Sequence, residues 1–205
     1  MSKNLYLLNT TFLEAVQELM GIYDSDPSAD LIVTCTLRSA EDQARLYRNG
    51  RSLHAIRHRA RALAEKWGRP DLAKILMDVG PQYGKTIRTN AAPGQSVHQY
   101  GMAIDCVVLV DGKPVWGDKK SHDLAIWREY GARAKSCGLE WSGDWKRFKE
   151  KPHVQQKNIR WQDLIVRPDF DFLRLDFTDS GEPIFPSARP MRIEHAAPVK
   201  QMQKF

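Results

Sequence analysis

Two short motifs contain side chains that could act together in hydrolytic chemistry. The first runs Ser96-Val-His98-Gln-Tyr-Gly101-Met-Ala-Ile-Asp105, and the second runs Glu150-Lys-Pro-His153. Two imidazoles and one carboxylate, with a fourth position left to water, are typical of a catalytic zinc site rather than a structural one. The residue types therefore favour a zinc centre formed by His98, Asp105 and His153.

Asp105 lies in an apolar segment that predicts a buried strand. Residues 103–110 read Ala-Ile-Asp-Cys-Val-Val-Leu-Val, so both faces of a strand there would be apolar. Such a strand would be central in its sheet, and Asp105 would be a carboxylate inside the core. An unpaired charge in the core costs on the order of several kcal/mol. The carboxylate must therefore pair with a cation, donate a proton or bind a metal.

His98 precedes Asp105 by an odd number of residues, so a continuous strand would place the two side chains on opposite faces. Gly101 between them would let a loop fold back and bring the imidazole to the carboxylate. A helix would also bring them together, but three residues argue against a helix here: Pro93, Gly94 and Gly101. We therefore expect His98 to lie in a loop.

The elements that must position these residues alternate between strands and helices. Apolar and β-branched runs predict strands at about 31–37, 103–110 and 152–155, with a hairpin from Asp111-Gly112 to Trp116. Helical spacing and capping residues predict helices at about 11–20, 39–47, 52–67, 71–79 and 121–137. The predicted fold class is α+β, a small and mainly antiparallel sheet with flanking helices and zinc in a cleft over the sheet.

The composition of the chain changes near residue 165. Residues 1–165 are expected to form the catalytic domain, with a basic helical insertion at about 52–80. Five of the eleven prolines fall within 168–198, and apolar residues alternate with charges between Phe170 and Phe177. We interpret residues 166–205 as a C-terminal extension that is partly strand and ends in a mobile tail.

The two motifs together resemble a known family. The pattern Ser-x-His-x-x-Gly-x-Ala-x-Asp, a loop from Trp141 to Trp145 and the final Glu-x-Pro-His are similar to the zinc D-alanyl-D-alanine carboxypeptidase-like peptidases. Within that group the chain looks most like the phage L-alanyl-D-glutamate endolysins. The resemblance covers about residues 30–156. The chain departs from the family after Gly50-Arg51-Ser52, where it inserts roughly thirty helical residues.

The resemblance implies a role for each residue that matches the motifs. It implies one Zn²⁺ per chain, held by His98, Asp105 and His153, with Glu150 as the general base. It also implies substrate binding by residues near the metal: Arg38, Gln43 and Ser96. Arg38 would hold a substrate carboxylate with its planar fork, aided by Gln43, and Ser96 would shape or cap the loop before His98.

The function implied by the resemblance is that of a zinc-dependent endolysin. Such a metallopeptidase would hydrolyse the L-Ala–D-Glu bond in the peptide stem of peptidoglycan and lyse the bacterial cell. One alternative is a D-Ala-D-Ala carboxypeptidase or dipeptidase of cell-wall metabolism. An alternative of a different class is a non-catalytic, metal-holding module that binds the cell wall, against which the presence of Glu150 speaks.

Composition and charge limit the location and the partners. The 205 residues carry 31 Lys or Arg against 25 Asp or Glu, and the longest clean apolar run is too short for a membrane span. The N-terminus lacks the apolar core of a signal peptide, so synthesis in the host cytoplasm and action on the wall in the periplasm after release are expected. We also expect a monomer.

A basic tract stands out within the insertion. Residues 51–74 hold seven Lys or Arg against two acidic residues, a net +5 of the chain's +6. This tract is either a solvated helix face or a contact for an anionic cell envelope. It matches no named nucleic-acid-binding module, and we expect no nucleic-acid partner.

Other candidate sites in the sequence have weaker support. His54 and His58 are one helical turn apart, but the glutamate of the zinc-protease helix motif is missing. A serine triad around Ser96 lacks the Gly-x-Ser-x-Gly turn. Trp141 and Trp145 are interpreted as packing residues, with a position lining the cleft as the alternative.

Overall fold

The computed structural model describes residues 2–80, 84–117 and 120–167, and the backbone of residues 176–177 and 183–184. The chain divides into two compact units, Met1–Phe172 and Leu173–Phe205.

Helices surround the sheet in the first unit. Six α-helices occur among the described residues: α1 (Thr10–Asp24), α2 (Ala40–Arg48), α3 (Leu53–Trp67), α4 (Pro70–Asp78), α5 (Ser121–Ser136) and α6 (Trp161–Leu164). Three short 3-10 helices cover Leu5–Leu7, Val97–Tyr100 and Ser142–Asp144. None of these helices has the length and apolar character needed to cross a bilayer.

The strands of the first unit form one antiparallel sheet. They are β1 (Ala29–Cys35), β2 (Ala103–Val110), β3 (Lys113–Pro114), β4 (Leu139–Trp141) and β5 (His153–Gln156). The order is β1-β2-β5-β4, and β3 also pairs with β2. In the second unit, β6 (Asp176–Phe177) and β7 (Pro183–Ile184) form an antiparallel pair. The mixed helical and antiparallel architecture confirms the predicted α+β class.

The two faces of the central strand β2 have different neighbours. Ile104, Cys106 and Val108 are buried in a cluster with residues of α1 and α5. Ala103 belongs to another cluster, with Val97 and neighbouring residues. Successive side chains of a strand point to opposite faces, so Asp105 lies on the face opposite Ile104 and Cys106, together with Ala103. One face of β2 therefore builds the main core, and the other presents Asp105.

The predicted helical insertion is present as α3 and α4. These helices pack with α2 in a second apolar cluster, in which Leu63, Leu72 and Leu76 have no exposed side-chain surface. Burial of each leucine stabilises the packing by about 1.5–3 kcal/mol. The insertion is therefore an integral part of the first unit.

Two strand predictions need correction or lie partly outside the described residues. The hairpin strand β3 was predicted to reach Trp116 but ends at Pro114, which has no N–H to continue the ladder. One further backbone bond joins Val115 N to Val108 O at 2.9 Å. Of the strand predicted between Phe170 and Phe177, only Asp176–Phe177 is described. The predicted mobile tail lies outside the described residues.

Candidate metal centre

Strand pairing brings Asp105 and His153 side by side. The register of the sheet places Asp105 opposite His153 on β5 and opposite Cys35 on β1. Directly opposite residues in antiparallel strands have Cβ atoms about 4.5–5.5 Å apart. Residues separated by 48 positions in the chain therefore become neighbours through register alone.

His98 approaches Asp105 and His153 from a short helix rather than from the predicted loop. The 3-10 helix Val97–Tyr100 carries His98 and ends at Gly101, which has a left-handed φ of 65°. A Cβ on Gly101 would lie 2.7 Å from the carbonyl oxygen of Leu7. Gly101 therefore reverses the chain where no other residue fits, and the reversal directs His98 towards Asp105.

Three donor atoms meet in a small triangle. His98 Nε2 lies 3.2 Å from Asp105 Oδ1 and 3.2 Å from His153 Nδ1, and His153 Nδ1 lies 3.1 Å from Asp105 Oδ1. In a tetrahedral zinc site with ligand distances of about 2.0–2.1 Å, neighbouring ligand atoms are about 3.3–3.4 Å apart. The triangle has nearly this size, so the three predicted ligands are together.

The opposite nitrogen of each imidazole faces a carbonyl oxygen. His98 Nδ1 lies 2.8 Å from Thr36 O, and His153 Nε2 lies 3.3 Å from Gln155 Oε1. A carbonyl oxygen only accepts, so these ring nitrogens carry hydrogens. The other nitrogen of each ring and a carboxylate oxygen then converge, and together they can hold a proton or a metal ion. The residues present therefore fit a zinc ion.

The electrostatics of the cluster favour positive charge at the same point. Burial lowers the pKa of His98, but the Asp105 carboxylate and its hydrogen bond outweigh burial and raise this pKa to about 9. Burial raises the pKa of Asp105, but His98 and His153 hold it well below its usual range. The Asp105 side chain is 23% exposed, so the prediction of a carboxylate fully inside the core was wrong.

Cys35 offers a second donor set with His98 and Asp105. Donor atoms of these three residues lie within 4.8 Å of one another. However, Cys35 Sγ is 3.8 Å from His98 Nδ1, the nitrogen already bonded to Thr36 O. Burial raises the pKa of the thiol, but the hydrogen bond to His98 and the charges of His98 and Arg38 together outweigh burial, so the pKa is lowered. The distances between donor atoms favour His153 as the third ligand. Cys35 lies near Nδ1 of His98, the ring nitrogen that faces away from the triangle.

Glu150 lies at the start of a tight turn that ends at His153. His153 N donates to Glu150 O at 3.0 Å, so the Cα atoms of the two residues are within about 7 Å. The side chain of Glu150 is exposed, and among the described residues it makes no hydrogen bond or ion pair. The assignment of Glu150 as the general base stays a prediction.

The residues assigned to substrate binding lie beside the triangle. Arg38 Nη2 is 3.5 Å from Asp105 Oδ2, and Arg38 Nη1 donates to Gln43 Oε1 at 2.9 Å. Gln43 Nε2 in turn donates to Ala91 O at 2.7 Å. Ser96 is buried next to the 3-10 helix, and its side chain does not cap that helix. Gln43 thus orients Arg38, and the role of both residues in substrate binding stays a prediction.

Sequence reasoning missed the groups that orient the imidazoles. Gln155 is two residues after His153 on the same strand, so the two-residue alternation of strands could have identified it. The Thr36 carbonyl has no such signal, because it follows β1 and is far from His98 in the chain. Trp145 was identified, and its ring lies 5.6 Å from that of His153.

Comparisons with known proteins match the part of the chain that contains these residues. A family profile described as D-alanyl-D-alanine carboxypeptidase matches residues 89–156, which contain all three proposed ligands and Glu150. The peptidoglycan L-alanyl-D-glutamate endopeptidase CwlK of Bacillus subtilis is 32% identical over 130 residues, 62% of this chain and 60% of that protein. An L-alanyl-D-glutamate peptidase of a Listeria phage is 42% identical over 62 residues, 30% of this chain and 21% of that protein.

The chain thus spans less than two thirds of the length of either curated relative. A crystal structure of the L-Ala D-Glu endopeptidase ChiX of Serratia marcescens is similar with a TM-score of 0.41 and 17% identity, over 75% of this chain and 84% of that one. The sequence matches confirm the resemblance that the two motifs predicted: residues 89–156 match the D-alanyl-D-alanine carboxypeptidase profile, and the chain is similar to two curated L-alanyl-D-glutamate peptidases.

Proposed function

We propose that the protein is a zinc-dependent peptidase that hydrolyses the L-Ala–D-Glu bond in the peptide stem of peptidoglycan. The observation that carries this proposal is the triangle of His98, Asp105 and His153, which lies one tight turn from Glu150. The choice of bond rests on the names of the Bacillus and Listeria phage relatives.

The residues of the chain divide the chemistry among them. His98, Asp105 and His153 would hold one zinc ion per chain, whose chemistry when bound is to polarise a carbonyl and lower the pKa of a water. Glu150 takes a proton from the water that attacks the scissile carbonyl carbon. Protonated Glu150 then gives this proton to the leaving amine as the C–N bond breaks. The products are one carboxylate and one amine.

Arg38 would meet a substrate carboxylate beside the triangle. Its guanidinium is oriented by Gln43 and already faces the carboxylate of Asp105, so it presents positive charge at the edge of the site. Ser96 would shape the loop from which His98 projects. In this arrangement Arg38 binds the substrate, and Gln43 and Ser96 keep the binding surface in place.

Replacing Arg38 with Ala should raise KM about 10- to 100-fold at saturating zinc. A hydrogen bond to a charged group contributes about 1.5–3 kcal/mol, which corresponds to that change. Arg38→Lys is the matched control, because it keeps the charge but loses the planar fork, and we expect an intermediate KM. Steady-state kinetics with a zinc titration measure both effects. An unchanged KM together with weaker zinc binding would mean that Arg38 only supports Asp105.

The proposed reaction is tested by mass spectrometry of muropeptides after digestion of purified peptidoglycan. Metal-free protein should release no products, and added zinc should restore cleavage between L-Ala and D-Glu. Loss of a terminal D-Ala instead would identify a carboxypeptidase. Zinc binding without any product would identify a metal-holding wall-binding module.

We further propose that the protein is a phage endolysin that acts as a monomer. In this proposal it is made in the host cytoplasm, reaches the wall after release and lyses the cell. The support is the match to the Listeria phage enzyme.

The basic insertion is proposed to contact the anionic envelope through only a few of its seven basic side chains. Five of its seven cations have hydrogen-bond or ion-pair partners within the chain: Arg51, Arg59, Arg61, Arg69 and Lys74. Arg57 and Lys66 are exposed and have no ion pair among the described residues, and Lys66 Nζ lies 5.4 Å from the centroid of the Trp67 ring. These two side chains are the best placed to meet an external polyanion.

The double charge reversal Arg57→Glu and Lys66→Glu should lower activity on whole envelopes but not on soluble muropeptides. The difference should fade with added salt, because exposed charges are screened beyond about 10 Å at 0.1 M. Lys113→Glu with Lys157→Glu is the matched control, since both lysines are exposed elsewhere and the charge change is equal. Equal losses on both substrates would contradict a role in envelope contact.

A further inference from the structure

We propose that Tyr130, Trp141 and Ser142 are positioning residues that fix the turn carrying Glu150. This inference rests on the proposed function, because it takes Glu150 as the general base. The side chain of Glu150 has no partner among the described residues, so its position depends on the backbone that bears it. The contacts of that backbone therefore decide where the carboxylate can act.

Each carbonyl of the turn accepts a hydrogen bond from a different side chain. Ser142 Oγ donates to Glu150 O. Trp141 Nε1 donates to Lys151 O at 2.8 Å, and Tyr130 Oη donates to Pro152 O at 3.1 Å. Two backbone groups add to these bonds, His153 N on Glu150 O and Cys106 N on Pro152 O. The three consecutive peptide groups are thus held from outside the turn.

The three donors are themselves immobilised by burial. Tyr130 and Ser142 have no exposed surface, and Trp141 is 5% exposed. Hydrogen bonds in such surroundings are strong, and a carbonyl that loses its buried donor is costly to leave unpaired. A fully exposed turn would not need donors of this kind, so their convergence on the segment between a proposed base and a proposed ligand is informative.

The indole of Trp141 lies in a slot next to two glycines. A Cβ on Gly131 of α5 would lie 2.1 Å from the indole, and so would a Cβ on Gly143 of the following 3-10 helix. Real Cβ atoms do not approach this closely, so both positions must lack a side chain. The indole thus packs against bare backbone at both glycines, while its Nε1 donates to Lys151 O.

Loss of the Trp141 bond should disturb Glu150 more than His153. His153 is held independently by its pairing with Asp105 and by Gln155. The indole donates to Lys151 O, whereas the two neighbouring carbonyls each accept a backbone hydrogen bond in addition to a side-chain one. A displacement of about 1 Å at a catalytic group can reduce the rate about 10²-fold.

Trp141→Phe tests the proposal, because it keeps an aromatic ring in the slot and removes the N–H, together with the volume of the second ring, which the control below also removes. We expect kcat at saturating zinc to fall about 10- to 100-fold, with KM and zinc affinity within about threefold of the wild type. The matched control is Trp127→Phe, which removes a comparable bond from a buried indole to Gly117 O at 2.9 Å. This control should keep the wild-type kcat.

A second variant covers the case in which Trp141→Phe does not fold. Tyr130→Phe with Ser142→Ala leaves a backbone donor on each affected carbonyl, and we expect a smaller fall in kcat, about tenfold, again with zinc affinity unchanged. An unchanged kcat in either folded variant, or a loss fully explained by lost zinc, would overturn the proposal. A wild-type protein that binds zinc but hydrolyses nothing would instead refute the proposed function.

Discussion

Glu150→Gln should lower kcat by about 10²- to 10⁴-fold and leave zinc binding intact, because a general base contributes about that factor. The amide keeps the size and shape of the side chain but cannot accept the proton of the attacking water. Glu150 is exposed and outside the triangle of donor atoms, so its replacement should not disturb folding. Kinetics and zinc content measured on the same preparation check both halves of the prediction.

Two other carboxylates that precede Glu150 in the chain serve as controls, one on β4 and one in the following 3-10 helix. Glu140 accepts a hydrogen bond from Trp145 Nε1 at 2.6 Å, and Asp144 pairs with Lys135 at 2.6 Å. Asp144→Asn should therefore keep wild-type kcat. If activity survives in Glu150→Gln but falls in Glu140→Gln, Glu140 is the base. If zinc content falls with activity in Glu150→Gln, then Glu150 is a ligand.

His98→Ala should abolish both zinc binding and hydrolysis. The imidazole supplies one of three donor atoms about 3.2 Å apart, and its loss leaves a site with two ligands. Zinc at 100 times its Kd should stabilise the wild type by about 2.7 kcal/mol, which raises Tm by about 5–10 °C. The variant should show no shift. His58→Ala, an exposed histidine on α3, is the control that should keep the full shift.

Cys35→Ser separates the two donor sets that the structure contains. If His153 is the third ligand, the serine variant should keep the zinc-dependent shift in Tm, because Cys35 lies nearest the Nδ1 side of the His98 ring. If the shift disappears in Cys35→Ser but persists in His153→Ala, the set of Cys35, His98 and Asp105 holds the metal instead.

The sequence predicted those parts of the site whose geometry is local. Asp105 could be placed on a central strand because residues 103–110 are apolar on both faces, and that strand pairs on both sides in the structure. The local conformation around His98 was predicted wrongly as a loop, because Gly94 and Gly101 suggested an interruption. Gly101 instead ends a single 3-10 turn, which needs only four residues.

Contacts across strands could not be predicted in the same way. The register that opposes Asp105 to His153 depends on how a whole strand docks, and a slip of one residue would put Val154 there instead. The donors to the Glu150 turn come from a helix, a strand and a 3-10 helix. Their side chains carry no local pattern that points to the turn. Trp141 was therefore interpreted as a packing residue, with a position lining the cleft as the alternative.

The slot around Trp141 has a consequence for how related sequences can diverge. A glycine within α5 costs about 1 kcal/mol relative to alanine, so drift alone would replace Gly131. The indole forbids this replacement, and it forbids a side chain at Gly143 for the same reason. In related sequences that lack the tryptophan, neither position 131 nor position 143 needs to be glycine. Positions 131, 141 and 143 should therefore covary, with the two glycines retained wherever the tryptophan is retained.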